Sequence, residues 1–114
     1  MEAIAKRDVQ VALEAYNNKS VYLHLETTSG AYTGYRNQSL TASAYIRNTQ
    51  VMFTRAVISG EGPFRVGLKL DQGWVYAEGL TDWEIDEQQR LLLAGHDDQG
   101  RLAVALEISE QPFD

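Results

Sequence analysis

The chain has 114 residues and no cysteine, with 16 Asp+Glu against 10 Lys+Arg for a formal net charge of -6. That length suits one ordinary domain spanning 1–114, and the missing cysteines exclude thiol nucleophiles, thiolate metal sites and disulfides. The acidic balance argues against nucleic acid or an anionic membrane as main partner, because phosphate recognition needs a basic face, although Arg47, Arg55, Arg65 and Lys69 leave room for a local basic patch.

Residues 2 to 17 read as one amphipathic helix, with Ala5, Val9, Ala12, Leu13 and Tyr16 at helical spacing on one side. Asn17 and Asn18 end it, since Asn tolerates the left-handed conformation common at helix C-termini. Lys6, Arg7, Asp8 and Glu14 interrupt this stretch, so it lacks a signal-peptide core, and no apolar run approaches membrane-spanning length. A cytoplasmic location is the expectation, and the absent disulfides point the same way.

Val21 to Glu26 reads as the first strand, with Val21, Leu23 and Leu25 on one face and Tyr22, His24 and Glu26 on the other. Thr27 to Leu40, rich in Thr, Ser, Gly and Asn around Tyr32, Tyr35 and Arg36, reads as a polar hairpin or an ordered loop. Ala42 to Asn48 and Val51 to Ile58 are expected strands, closed by the breaker cluster Ser59-Gly60-Glu61-Gly62-Pro63. From Phe64 to Ser109 short runs of period two follow one another: 64–70, 74–78, 83–86, 91–95 and 102–109. The tight polar connections between them mark antiparallel hairpins. Glu110 to Asp114 is expected to trail along the surface, with Phe113 tucked down as an anchor.

The expected fold is therefore mainly β: an antiparallel meander barrel, closed or nearly closed, with one N-terminal α-helix packed on it. Leu91-Leu92-Leu93-Ala94 and Leu102-Ala103-Val104-Ala105-Leu106 are apolar on both faces and are expected to be covered twice. The second cover has to be the helix or another copy of the chain, so self-association follows as an expectation.

Candidate chemistry is sparse. His24 and Glu26 share a strand face and could offer two ligands to a metal ion, with His96 as a third. Nothing in the sequence brings His96 to His24, and a polar face with a His–Glu hydrogen bond is the simpler reading. The His96-Asp97-Asp98-Gln99-Gly100 stretch reads as a hairpin turn rather than a cation loop. Glu26, Glu78, Glu84 and Glu107 lie on expected strands, where solvated faces are the ordinary outcome. Trp74 and Tyr76 share one strand face and, with Tyr45 and Trp83, form an aromatic set that suits packing or an interface better than ring stacking on a ligand. There is no phosphate loop, no nucleophile elbow and no triad context, so no catalytic residue and no cofactor is assigned.

Five strings, Val21-Tyr22-Leu23-His24-Leu25-Glu26-Thr27-Thr28, Tyr45-Ile46-Arg47-Asn48, Gly62-Pro63-Phe64-Arg65-Val66-Gly67-Leu68-Lys69, Gly73-Trp74-Val75-Tyr76-Ala77-Glu78-Gly79-Leu80 and Leu91-Leu92-Leu93-Ala94-Gly95-His96, resemble the YojF-like family of bacilli. The resemblance spans nearly the whole chain. It implies a small cytosolic mainly-β protein without an assigned activity. Its genes often neighbour a deacetylase resembling the zinc-dependent N-acetylglucosaminyl deacetylases of thiol-cofactor synthesis. It supplies no catalytic motif to carry over.

Two functional readings follow. The first is a non-catalytic homo-oligomeric accessory or binding protein that docks on a metabolic enzyme. The second is a small-molecule binder or metal-dependent enzyme that uses His24, Glu26, Tyr45 and Arg47, with Trp74 and Tyr76 as further ligand-binding candidates and Thr27 to Leu40 as a lid.

Overall fold

The computed structural model describes residues 1–28 and 43–114. The bulk of the Thr27 to Leu40 segment, with Tyr32, Tyr35 and Arg36, and the expected strand start at Ala42 lie outside the described residues.

In chain order the elements are β1 (Glu2–Ala3), α1 (Lys6–Glu14), β2 (Ser20–Thr28), β3 (Ser43–Met52), β4 (Arg55–Ser59), β5 (Phe64–Lys69), β6 (Trp74–Leu80), β7 (Asp82–Ile85), β8 (Leu91–His96) and β9 (Leu102–Ser109). The helix is shorter than its periodicity suggested. Glu2 and Ala3 instead pair with Trp83 and Asp82 as a two-residue edge strand. Val9 and Leu13, one helical turn apart, are fully buried, and Asp8 in the first turn complements the helix dipole. Asn18 closes the segment at a φ of 64°, the left-handed conformation its residue type suggested.

The strands are antiparallel but do not close into a barrel. They form a six-stranded sheet, ordered β1-β7-β8-β9-β2-β3, and a three-stranded sheet, β4-β5-β6, with no ladder joining the two among the described residues. The expected single strand from Val51 to Ile58 is broken at Phe53-Thr54, where the chain leaves the first sheet and enters the second. Phe53 is fully buried at this corner, and its carbonyl accepts the Asn18 N–H at 2.8 Å. The core lies between the inner faces: Val21, Leu23, Leu91, Leu93, Leu106 and Ile108 from the large sheet meet Ile58, Val66, Leu68 and Leu80 from the small one. Burying side chains of this size stabilises by about 1.5–3 kcal/mol each relative to exposure.

The helix packs beside β4 rather than over β8 and β9. Gln10 binds the backbone of that edge strand with both ends of its amide: Nε2 donates to the Ala56 carbonyl at 2.7 Å, and Oε1 accepts from the Ile58 N–H at 2.9 Å. Groups that an edge strand leaves open are thereby satisfied within the chain. The second face of β8 and β9 is indeed buried at Ala94 (4% exposed) and Ala105 (7%). Leu92 and Ala103 on the same face are only half-buried, and Leu102 is 51% exposed, so the second face is covered in part within one chain.

The hairpins β7–β8 and β8–β9 share one turn design. In Asp86-Glu87-Gln88-Gln89-Arg90 the Asp86 carboxylate accepts the Gln88 and Arg90 N–H groups at 2.9 Å each and pairs with Arg90 Nε at 2.7 Å. In Asp97-Asp98-Gln99-Gly100-Arg101 the Asp97 carboxylate repeats the set on Gln99 and Arg101 at 2.8, 2.9 and 2.9 Å. At Asp86, burial pushes the carboxyl up, but the Arg90 and Gln88 contacts outweigh it and hold it below the usual carboxylate range. At Asp97 the Arg101 N–H, helped by Gln99 and the guanidinium, pulls the carboxyl down. A depressed carboxyl stabilises the fold above its ordinary value and loses that contribution as pH falls through its folded value. The urea midpoint is therefore expected to be flat from pH 8 to 5 and to fall below about pH 4. Replacing both residues (Asp86→Asn, Asp97→Asn) should lower the plateau and shrink the acid limb; an unchanged acid limb would place the responsible carboxylates elsewhere.

Candidate functional site

Three surfaces carry the sequence-derived candidates. The first is the outer face of β2 and β3. His24 and Glu26 stand two residues apart on β2, so the pleat puts both on this face. Opposite them β3 has a bulge: Leu23 pairs Thr49 and Leu25 pairs Ile46, so Arg47 and Asn48 together face His24. Asn48 takes the left-handed conformation there, at a φ of 57°. The bulge aims Arg47 at the imidazole, with Nη1 3.1 Å from His24 Nδ1. A guanidinium only donates, so Nδ1 accepts and the Nε2 proton points to Glu26 Oε1 at 3.3 Å. Tyr45 meets the His24 ring edge-on at 5.5 Å.

The four residues expected to act together are thus brought together. They do not line an open cleft. The Phe113 ring lies 6.2 Å from the His24 ring and is 1% exposed, and His24 is 5% exposed. Asp114 reaches Arg47 Nη2 at 2.8 Å. The tail is the anchor its sequence suggested.

His96 does not join His24. Its Nδ1 lies 2.9 Å from Asp82 Oδ2, at the far end of β7 and β8. Both imidazole nitrogens of His24 are engaged, and no group of three or more His, Asp or Glu side chains suited to a metal ion forms among the described residues.

The second surface is the outer face of the small sheet. Here the register aligns Lys69 with Trp74, Gly67 with Tyr76 and Arg65 with Glu78, and Arg55 with Lys69. Trp74 and Tyr76 stack with centroids 5.6 Å apart and planes at 11°. They remain 39% and 50% exposed. Gly67 makes room for the stack, since a Cβ there would sit 2.7 Å from the Tyr76 ring. The Arg65 guanidinium covers Tyr76 at 5.4 Å and pairs with Glu78 at 2.8 Å. Three of the four basic residues singled out as a possible patch, Arg55, Arg65 and Lys69, therefore share this face; Arg47 lies on the other sheet. The remaining aromatics also separate from the pair: Tyr45 stands beside His24, and Trp83 packs against the core.

The third surface was not foreseen. A cleft of about 630 Å³ opens where the two sheets diverge, lined by Tyr76, Glu78, Thr81, His96, Asp98 and Val104 among others. The Thr81 hydroxyl and His96 both meet Asp82 Oδ2, at 3.3 and 2.9 Å. Pairing across elements builds this cluster, and local spacing carries no sign of it. The four strand glutamates do not all converge: Glu26 sits with His24, and Glu107 lies opposite His24 on β9, but Glu78 sits with Arg65 and Glu84 lies 3.2 Å from the Met1 amino group.

Residues 3–113 match the family model described as a protein of unknown function (DUF1806). The chain is 54% identical over 114 residues to the uncharacterized protein YojF of Bacillus subtilis strain 168, covering 99% of this chain and 98% of that one. The crystal structure of the Bacillus subtilis YojF protein superposes with a TM-score of 0.84 at 51% identity, over 99% of this chain and 96% of the other. Matched along its whole length in sequence and in fold, the chain belongs to the YojF family, whose function is unknown.

Proposed function

We propose that this is a non-catalytic, cytoplasmic accessory protein that self-associates and docks on a partner enzyme through the outer face of its small sheet. The observation that carries the reading is the exposed Trp74–Tyr76 stack, rimmed by Arg55, Arg65 and Lys69. Aromatic residues and arginine are the side chains most enriched where interfaces concentrate their energy. The face carries three cations and one carboxylate on a chain of net charge -6, so its partner patch is acidic. The polar groups with catalytic potential are tied up within the chain: His24 is held by Arg47, Glu26 and Phe113, and Glu78 is held by Arg65.

The resemblance read from the sequence makes a zinc-dependent N-acetylglucosaminyl deacetylase the first partner to test. Sedimentation velocity at micromolar concentration is expected to show an oligomer, and a Trp74→Ala, Tyr76→Ala double variant should weaken association or enzyme capture at least about tenfold. A monodisperse monomer that captures no deacetylase, or a double variant that binds unchanged, would sink the reading.

The alternative is a small-molecule binder or metal-dependent enzyme centred on His24 and Glu26. It draws on the convergence of these two with Tyr45 and Arg47. Elemental analysis of protein purified without chelator tests it: stoichiometric metal that is lost in His24→Ala would put it first.

A further inference from the structure

The C-terminal segment shows what one surface of the large sheet can recognise. After β9, Glu110, Gln111 and Pro112 are exposed, and the chain is then held by two residues, Phe113 and Asp114. Asn48 grips the Phe113 backbone at both ends of one residue. Its Nδ2 donates to the Phe113 carbonyl and its Oδ1 accepts the Phe113 N–H, both at 2.7 Å. That is the exchange a neighbouring β-strand would make, and it reads backbone whatever the sequence. The ring is read separately: Arg47 and Arg90 place their guanidinium carbons 5.6 and 5.7 Å from its centroid, and His24 closes the third side. The carboxylate that follows is read by Arg47 Nη2 at 2.8 Å.

We infer that this slot, formed by His24, Arg47, Asn48 and Arg90, is a peptide-recognition site for a segment in which an aromatic residue precedes an acidic one. Its occupant in trans is such a segment of a partner protein, and the chain's own tail is the resident that the partner displaces. Charge complementarity selects this occupant: Arg47 meets the π-face and the carboxylate together, Arg90, itself paired with Asp86, adds a second cation over the ring, and both disfavour a basic segment. Position makes exchange feasible, because β3 is the edge strand of the six-stranded sheet among the described residues and Asn48 stands on it. The resident is lightly held before Phe113: the Gln111 N–H meets Ser109 Oγ at 3.1 Å, and Glu110 lies 3.9 Å from Lys19, both on or near the surface. Asp114 is itself largely exposed, so its ion pair is worth little. The slot and the Trp74–Tyr76 face lie on different sheets, so either can fail while the other stands.

The test is a titration of the intact, isotope-labelled chain with an end-blocked peptide of sequence QPFD, followed by backbone NMR. The tethered tail competes at an effective concentration on the order of millimolar, so half-displacement is expected at low-millimolar peptide. The Phe113 and Asp114 amides should move to disordered positions while Arg47, Asn48 and Arg90 stay perturbed. QPAD, which lacks the ring, should do nothing at the same concentration. Asn48→Gly keeps the left-handed backbone but removes the clamp; it should free the tail without peptide and abolish the response to QPFD. No displacement by about 10 mM QPFD, well above that effective concentration, would make the tail a fixed anchor and overturn the inference. Equal displacement by QPAD would overturn it as well, and so would tail exchange between copies with no response to peptide.

Discussion

Gly95→Ala is expected to lower stability by about 3 kcal/mol or more, a large share of the total for a domain of ordinary stability. Gly95 lies in β8 on the inner face, where the backbone of Gly79 from the other sheet comes against it. A Cβ at Gly95 would overlap the Gly79 carbonyl oxygen, with the carbonyl carbon at 2.8 Å and Val104 Cγ1 at 2.6 Å. A side chain at such a distance can rotate away; a carbonyl cannot move without shifting the strand that carries it. Relief means separating β6 from β8 and β9, which would expose the core where the sheets diverge. Circular dichroism melts should show a midpoint lower by about 10 °C or more. A midpoint within a few degrees of the parent would mean that the two backbones are not in contact in solution.

The same contact shows what period-two patterning can and cannot convey. Each run from Phe64 to Ser109 announced a strand, the last two with both faces apolar, and each such strand is present. Alternation says nothing about which strand lies across the core, so two stacked sheets and one closed barrel write the same pattern. The ladders settle the difference; Gly95 and Gly79 mark where the two sheets touch, and a glycine inside a strand has several other uses. The break at Phe53-Thr54 was hidden for a related reason. No Gly or Pro marks it, and the large apolar residue that turns the corner also fits an uninterrupted strand. Glu2–Ala3 exists only because β7 is there to pair with it, and two residues are too few to show a period.

The polar surfaces divide along the same line. His24 and Glu26 fall on one face by spacing alone, so their hydrogen bond was within reach. Arg47 needed the bulge register, and the bulge rests on Asn48 in a left-handed conformation, for which an Asn between Arg and Thr is only a weak sign. The His96–Asp82 pair joins residues 14 positions apart through the β7–β8 hairpin, and no local rule points to it. The doubly apolar stretches 91–94 and 102–106 marked burial on the second face only in part, at Ala94 and Ala105. Leu92 and Ala103 on the same outer face are only half-buried, so part of that apolar surface stays open in the single chain.

Phe53→Ala is expected to cost about 3–5 kcal/mol, the range for removing a large aromatic ring from a well-packed core. The residue is fully buried, and it sits where the chain passes from one sheet to the other. Its backbone is fixed on both sides: its carbonyl accepts from Asn18 at 2.8 Å, and the next N–H, from Thr54, donates to Lys69 at 2.9 Å. The backbone at the corner therefore cannot sink to fill the space, and the cavity stays open. Because the ring belongs to the core shared by both sheets and α1, its loss should weaken them together. Hydrogen exchange in the variant should accelerate by similar factors for the slowest amides of β2, β5 and β9. Acceleration confined to β4 and β5, with β2 and β9 unchanged, would mean that the small sheet opens on its own and that Phe53 is a local plug rather than the pin between the layers. A total loss below about 1 kcal/mol would show that neighbouring side chains collapse into the space.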